Sequence, residues 1–219
     1  MKQTPSLSNV LCAFTLFFGT LFFLPLIFAQ ASFKTATMWS LLSYILVTIL
    51  LLFFYRLRFS IYVYMYGVFS WLIAFPLATI TSETIAFLMK KTYGYTDASQ
   101  TIAQQILALK SYPLLFILVT FITVFCVPLA EEILFRGLLQ KYLMSRLPKV
   151  AAILITAFIF AFAHFNPYQG LGNVQILSAL FVLSLILSYI FNRWASLMAP
   201  LALHQTFNAL SLIGLLIYE

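Results

Sequence analysis

Between Lys149 and Arg193 the chain reads VAAILITAFIFAFAHFNPYQGLGNVQILSALFVLSLILSYIFN, residues 150–192, which is 43 consecutive residues without a charge. A helix that crosses a bilayer takes roughly 20 mainly apolar residues. The stretch is therefore too long for one crossing and suits two. Its middle, Asn166-Pro167-Tyr168-Gln169-Gly170-Leu171-Gly172-Asn173, carries the proline and glycines of a turn. Two spans joined by that turn are expected, near 150–166 and 174–192.

The rest of the chain repeats the pattern. Charge-free intervals of 31, 21, 24, 20 and 25 residues follow Lys2, Lys34, Arg58, Lys110 and Arg193. Each holds one span, near 8–28, 37–55, 60–82, 112–135 and 195–217. Hydrocarbon offers backbone groups no partner, and the segments are too long and uniformly apolar for barrel strands, so helix is the expected state. The fold class is thus all-α, a polytopic transmembrane helix bundle of about seven spans with no soluble domain. Composition agrees: 63% of the residues are hydrophobic and 8% charged, with a mean hydropathy of +1.04. A soluble domain carries about 25% charged residues. Lys2, the first apolar run and Ala29-Gln30-Ala31 have the outline of a signal peptide. The run is longer than the usual 7–15 residues of such a signal, so a retained helix is expected.

The positive charges give the orientation. With the N-terminus inside, Lys2, Arg56, Arg58, Lys141, Arg146, Lys149 and Arg193 lie inside, against Lys34, Lys90, Lys91 and Lys110 outside. The inner excess favours that orientation. The chain is expected to be an integral, multi-pass protein of the plasma (inner) membrane if its source is bacterial. Its net charge of +7 orients it in the bilayer and is not clustered as a nucleic-acid surface requires. Cys12 and Cys126 both fall inside spans and offer neither a disulfide framework nor metal-type spacing.

The longest polar interval, about 89–111, divides the chain. Residues 1–90 read as N-terminal scaffold helices. Residues 110–219 read as a catalytic four-helix core, because both histidines and the adjacent Glu131 and Glu132 lie there. Ionisable groups in a membrane are costly and mark function by default. The bland alternative is a set of hydrogen bonds that only hold helices together.

Spacing favours a site. Glu131 lies 17 residues before Pro148 and His164 lies 16 after it, so both stand about 25 Å from that turn on straight helices. His204 and Asn208 lie 11 and 15 residues beyond Arg193, about 16–23 Å along. They are four residues apart and share one helix face. Glu132 and Arg136 are also i,i+4 and are expected to form a structural ion pair, whereas Glu131 points about 100° away and is free for chemistry. Phe160, one turn before His164, is expected to pack against the imidazole. Asn166-Pro167 is expected to stop a helix, and Cys126 to be an ordinary thiol.

Three motifs in order, Glu131-Glu132-x-x-x-Arg136, Phe160-x-x-x-His164 and His204-x-x-x-Asn208, resemble those of the CPBP family. That family comprises type II CAAX prenyl endopeptidases, bacterial abortive-infection (Abi) proteins and bacteriocin-processing or immunity proteins. The resemblance covers about 128–210 and implies a membrane-embedded protease acting on a protein or peptide substrate, lipidated in the CAAX case. Other intramembrane protease signatures are missing: the sequence has no His-Glu-x-x-His, Gly-x-Gly-Asp or Gly-x-Ser. In the favoured reading Glu131 and His164 activate a water, and His204 and Asn208 stabilise the oxyanion. No cofactor is required by that scheme. A variant with a divalent metal such as zinc on Glu131, His164 and His204 stays open. The depth estimate puts His204 up to about 9 Å nearer its turn than Glu131 is to its own, which favours the metal-free scheme. The rivals are a non-catalytic membrane scaffold or bacteriocin-immunity-type protein, and a transporter using the same groups as a proton relay.

Overall fold

A computed structural model of the chain describes residues 4–27, 33–94 and 108–217. Among the described residues seven long helices follow in chain order: α1 (Leu7–Ile27), α2 (Phe33–Phe54), α3 (Ile61–Tyr93), α4 (Pro113–Leu143), α5 (Lys149–Phe162), α6 (Gly172–Trp194) and α7 (Met198–Ile217). No strand occurs among the described residues. Five of the helices, α2, α3, α4, α6 and α7, are long and apolar enough to cross a membrane, and the shorter apolar stretches are Leu7–Leu21 and α5. The chain is an all-α integral membrane protein. The Ala29-Gln30-Ala31 stretch, the polar residues 95–107 and both ends of the chain lie outside the described residues.

Three elements depart from expectation. α3 continues past residue 82, through Pro76 and as far as Tyr93, and ends on Gly94 at φ +66°. Nothing between Glu83 and Tyr93 breaks a helix, Lys90 and Lys91 complement the negative C-terminal end, and Gly94 supplies the left-handed stop. α5 stops at Phe162, short of the expected 166. Its 14 residues reach about 21 Å, less than the ~30 Å of a hydrocarbon core. The chain must leave helical geometry before Pro167, and Asn173 holds the turn that follows. Asn173 accepts from Asn166 N at 2.9 Å and donates to Asn166 O at 2.7 Å and Gly170 O at 3.1 Å. His164 therefore sits in the turn after α5 and not within a helix. The third departure is α4, which is wound as π-helix over Ile122–Cys126 and Ile133–Gln140, on either side of the two glutamates.

Front and rear helices share one core. Val10, Ala13 and Phe17 of α1 and Val47 and Leu51 of α2 pack in one cluster with Ala130, Ile133, Leu134, Phe135 and Phe160. Phe14 meets Phe135 edge-on at 5.6 Å. On the other flank α3 packs on α6 and α7 through Ala74, Leu183, Leu187 and Ala199. Gly67 permits that approach, because a Cβ there would run into the carbonyl oxygen of Ala199.

Candidate active site

The local geometry of α4 begins with Pro128. In the π-wound turn the N–H of Val127 bonds to Ile122 O, an i→i+5 pairing. The next such pairing would join the N–H of residue 128 to Thr123 O, but proline has no N–H. Thr123 O is thereby released and must find another donor. Asn208 of α7 provides it: its Nδ2 donates to Thr123 O at 3.1 Å. The proline thus fixes both the winding before Glu131 and the docking of α7.

Beyond the proline, Glu132 and Arg136 form the expected ion pair at 2.9 Å, both fully buried. The same Glu132 oxygen, Oε1, also accepts from His204 Nδ1 at 2.9 Å. Arg136 NH2 donates to Ser184 Oγ at 2.6 Å, and its guanidinium lies 4.5 Å over the Phe160 ring. A buried chain therefore runs from Ser184 on α6 through Arg136 and Glu132 on α4 to His204 on α7.

Glu131 occupies the centre. Its Oε1 lies 3.7 Å from His164 Nε2 and its Oε2 lies 3.7 Å from His204 Nε2. Phe160 orders both rings, at 4.8 Å from His164 and 5.9 Å from His204 between centroids. Its carbonyl also engages His164 Nδ1 at 2.8 Å. A carbonyl only accepts, so Nδ1 carries the hydrogen and Nε2 turns a lone pair toward Glu131 whenever the ring is neutral. The His164 side chain is 29% exposed, against 10% for Glu131 and 6% for His204. Access is from the His164 side.

Residues 113–210 match the family model of type II CAAX prenyl endopeptidase Rce1-like proteins. That segment is similar to this family. Comparison with curated proteins and with solved structures returned no match. The matched Rce1-like segment holds Glu131, Glu132, Arg136, Phe160, His164, His204 and Asn208, and supports a membrane-embedded protease.

Within the Rce1-like segment the structure gathers Glu131, His164 and His204 and ties Glu132, Arg136 and Phe160 directly behind them. Asn208 is anchored to Thr123 O, with one amide hydrogen committed there. The 9 Å mismatch in depth expected for His204 does not arise, because His204 reaches Glu131 at 3.7 Å. That expectation assumed a 1.5 Å rise, whereas eight residues after Glu132 are π-wound, with more residues in each turn. Glu132 also does more than pair with Arg136, since it holds His204. Cys126 is free and half-buried, as its sequence setting suggested.

Two contributors escaped notice in the sequence. Ser184 of α6 accepts from Arg136 through its hydroxyl, and Gln140 of α4 donates from Nε2 to the backbone carbonyl of Ser188 at 2.9 Å. The i,i+4 spacing of Arg136 and Gln140, which puts Gln140 on the same helix face as the ion-paired arginine, was the available signal. A carboxylate with two ring nitrogens is the donor chemistry of zinc. Yet no group of three or more His, Cys, Asp or Glu among the described residues is gathered as a metal site.

Proposed function

We propose that the Rce1-like core hydrolyses a peptide bond at the membrane with a water activated by Glu131. The observation that carries this reading is the pair of 3.7 Å gaps between the Glu131 carboxylate and the two histidine Nε2 atoms. Each gap is longer than a hydrogen bond, and a polar gap of that size suits a bridging water.

Charge balance sets the resting state. Arg136 neutralises Glu132, which leaves Glu131 as a buried anion unless a histidine carries an extra proton. An uncompensated buried charge costs several kcal/mol. With His204 protonated at both nitrogens, two cations meet two carboxylates and the cluster is neutral. Nδ1–H then donates to Glu132 and Nε2–H faces Glu131. A water on the exposed side donates one hydrogen to Glu131 Oε1 and the other to His164 Nε2, leaving a lone pair for the substrate carbonyl carbon.

As the water attacks, its proton passes to Glu131, which is general-base catalysis worth about 10²–10⁴-fold. The neutral carboxyl then attracts the His204 cation less strongly, and its Nε2–H turns to the developing oxyanion. The second amide hydrogen of Asn208, the one Thr123 does not take, is the other donor. Such donors contribute about 10²–10³-fold each. When the intermediate collapses, Glu131 returns the proton to the departing amine, so one water is consumed and an acid and an amine are released. A ring nitrogen that carries a proton cannot ligate a metal, so the protonated His204 and a zinc ion are mutually exclusive.

The substrate class proposed is a peptide or protein with a lipidated C-terminus, the chemistry named by the family's description. The test is cleavage of a farnesylated C-terminal peptide and its unprenylated twin by purified protein, with and without a chelator. Faster cleavage of the lipidated peptide, unaffected by chelation, is expected. Loss of activity on chelation and recovery with zinc would replace the protonated His204 by a metal. No cleavage of either peptide by folded protein would return the cluster to a structural role.

A further inference from the structure

A second polar feature lies at the end of the bundle where α2, α4 and α6 finish and α1, α3 and α7 begin. A cavity of about 560 Å³ opens there, lined by Arg56, Arg58, Lys141, Ser60, Ser196 and Trp194 among others. None of Glu131, Glu132, His164, His204 and Asn208 lines it, so it is separate from the proposed catalytic centre. No carboxylate lines it among the described residues. Its positive charge comes from the link after α2 and from α4, and three helices start beside it. Ser60, which precedes α3, makes no side-chain cap bond. Helix starts present unpaired N–H groups and a partial positive charge. Arg58 also influences Tyr55 on the same wall: burial pushes the phenol above its ordinary value and the guanidinium opposes the shift.

Orienting charge alone explains an excess of basic residues at one end of a bundle. It does not explain their convergence on one concavity with hydroxyls and an indole. Basic pockets between spanning helices at a membrane face suit anionic lipid headgroups. The occupant must be amphipathic, because the cavity sits at the bundle end and has Trp194, Phe54 and Phe59 in its lining beside the basic residues.

We propose that this cavity binds the phosphate headgroup of an anionic phospholipid, with Arg56, Arg58 and Lys141 as the charged contacts. The proposal is independent of the protease reading and needs no cleavage assay. Each basic side chain near an anionic headgroup is worth about fivefold in affinity, so removing two lowers it roughly 30-fold.

The test is native mass spectrometry of the full chain in neutral detergent, titrated with phosphatidylglycerol or phosphatidylcholine. Wild type is expected to prefer phosphatidylglycerol by at least tenfold. Arg56→Gln/Arg58→Gln is expected to lose roughly 30-fold of that affinity, and Lys141→Gln about fivefold. Lys90→Gln/Lys91→Gln, at the other end of α3, is expected to change nothing. Equal binding of the two lipids by wild type would overturn the proposal, as would an equal loss from the lysine pair at the far end. Inorganic phosphate that protects the protein against heat as well as the lipid does, at equal concentration, would overturn the lipid assignment. If the arginine double variant does not fold, lipid selectivity of wild type and Lys141→Gln decide the matter.

Discussion

Glu131 and Glu132 are neighbours in sequence with different surroundings. The pairing of Glu132 with Arg136 was legible from i,i+4 spacing alone. Its bond to His204 was not, because it joins residues 72 apart and no local pattern encodes such a contact. Glu132→Gln should therefore lose about 3–5 kcal/mol, the cost of breaking a buried pair. Expression level and unfolding midpoint in detergent report that loss. Glu131→Gln should leave the midpoint within about 1 kcal/mol, since its partners lie at gap distance and not in direct bonds. Equal midpoints for the two variants would show that the roles are not divided in this way. Asn208 joined the site in the sequence reading by sharing a face with His204, and the structure adds its anchor on Thr123. Asn208→Ala should cost about 1–3 kcal/mol for the orphaned carbonyl and lower kcat about 10²–10³-fold. A loss of activity no greater than the loss of folded protein would leave Asn208 as an anchor only.

At the scale of elements, charge-free intervals located all seven helices, because hydrocarbon leaves the backbone no alternative. Their ends were less legible. The charge at Glu83 does not stop α3, since a helix can run on into water, and α5 ends early because the Asn166–Asn173 turn closes in front of Pro167. The π-winding of α4 could not be read from hydropathy, which is blind to whether a carbonyl skips to the fifth residue. Pro128 was its one signal. Pro128→Ala restores an N–H that competes with Asn208 for Thr123 O. The variant should fold as well as wild type but cleave about 10²-fold more slowly, the effect of a misplaced reacting group. Wild-type cleavage would disconnect the proline from the site. Gly67→Ala tests helix packing alone: a methyl group against Ala199 should cost about 1–3 kcal/mol by crowding α3 from α7, read as a lower unfolding midpoint.

At the scale of the molecule, the rear motifs marked residues that cluster around Glu131, but not that α1 and α2 share the core behind Phe135 and Phe160. Contacts between distant apolar side chains carry no signature beyond general hydrophobicity. The basic residues Arg56, Arg58 and Lys141 meet at one end, the end that the charge asymmetry of the sequence assigns to the inner side. Reporter fusions after Lys34, Arg58 and Glu219 should read outside, inside and outside. An inside signal at Glu219 would refute the orientation or the span count. The central claim, that Glu131 takes the proton of the attacking water, is met most directly by a rate. Wild type and Glu131→Gln, matched for folded protein, are compared for cleavage of one farnesylated peptide under single-turnover conditions. The account predicts a loss of about 10²–10⁴-fold in the variant; a rate within tenfold of wild type would contradict it.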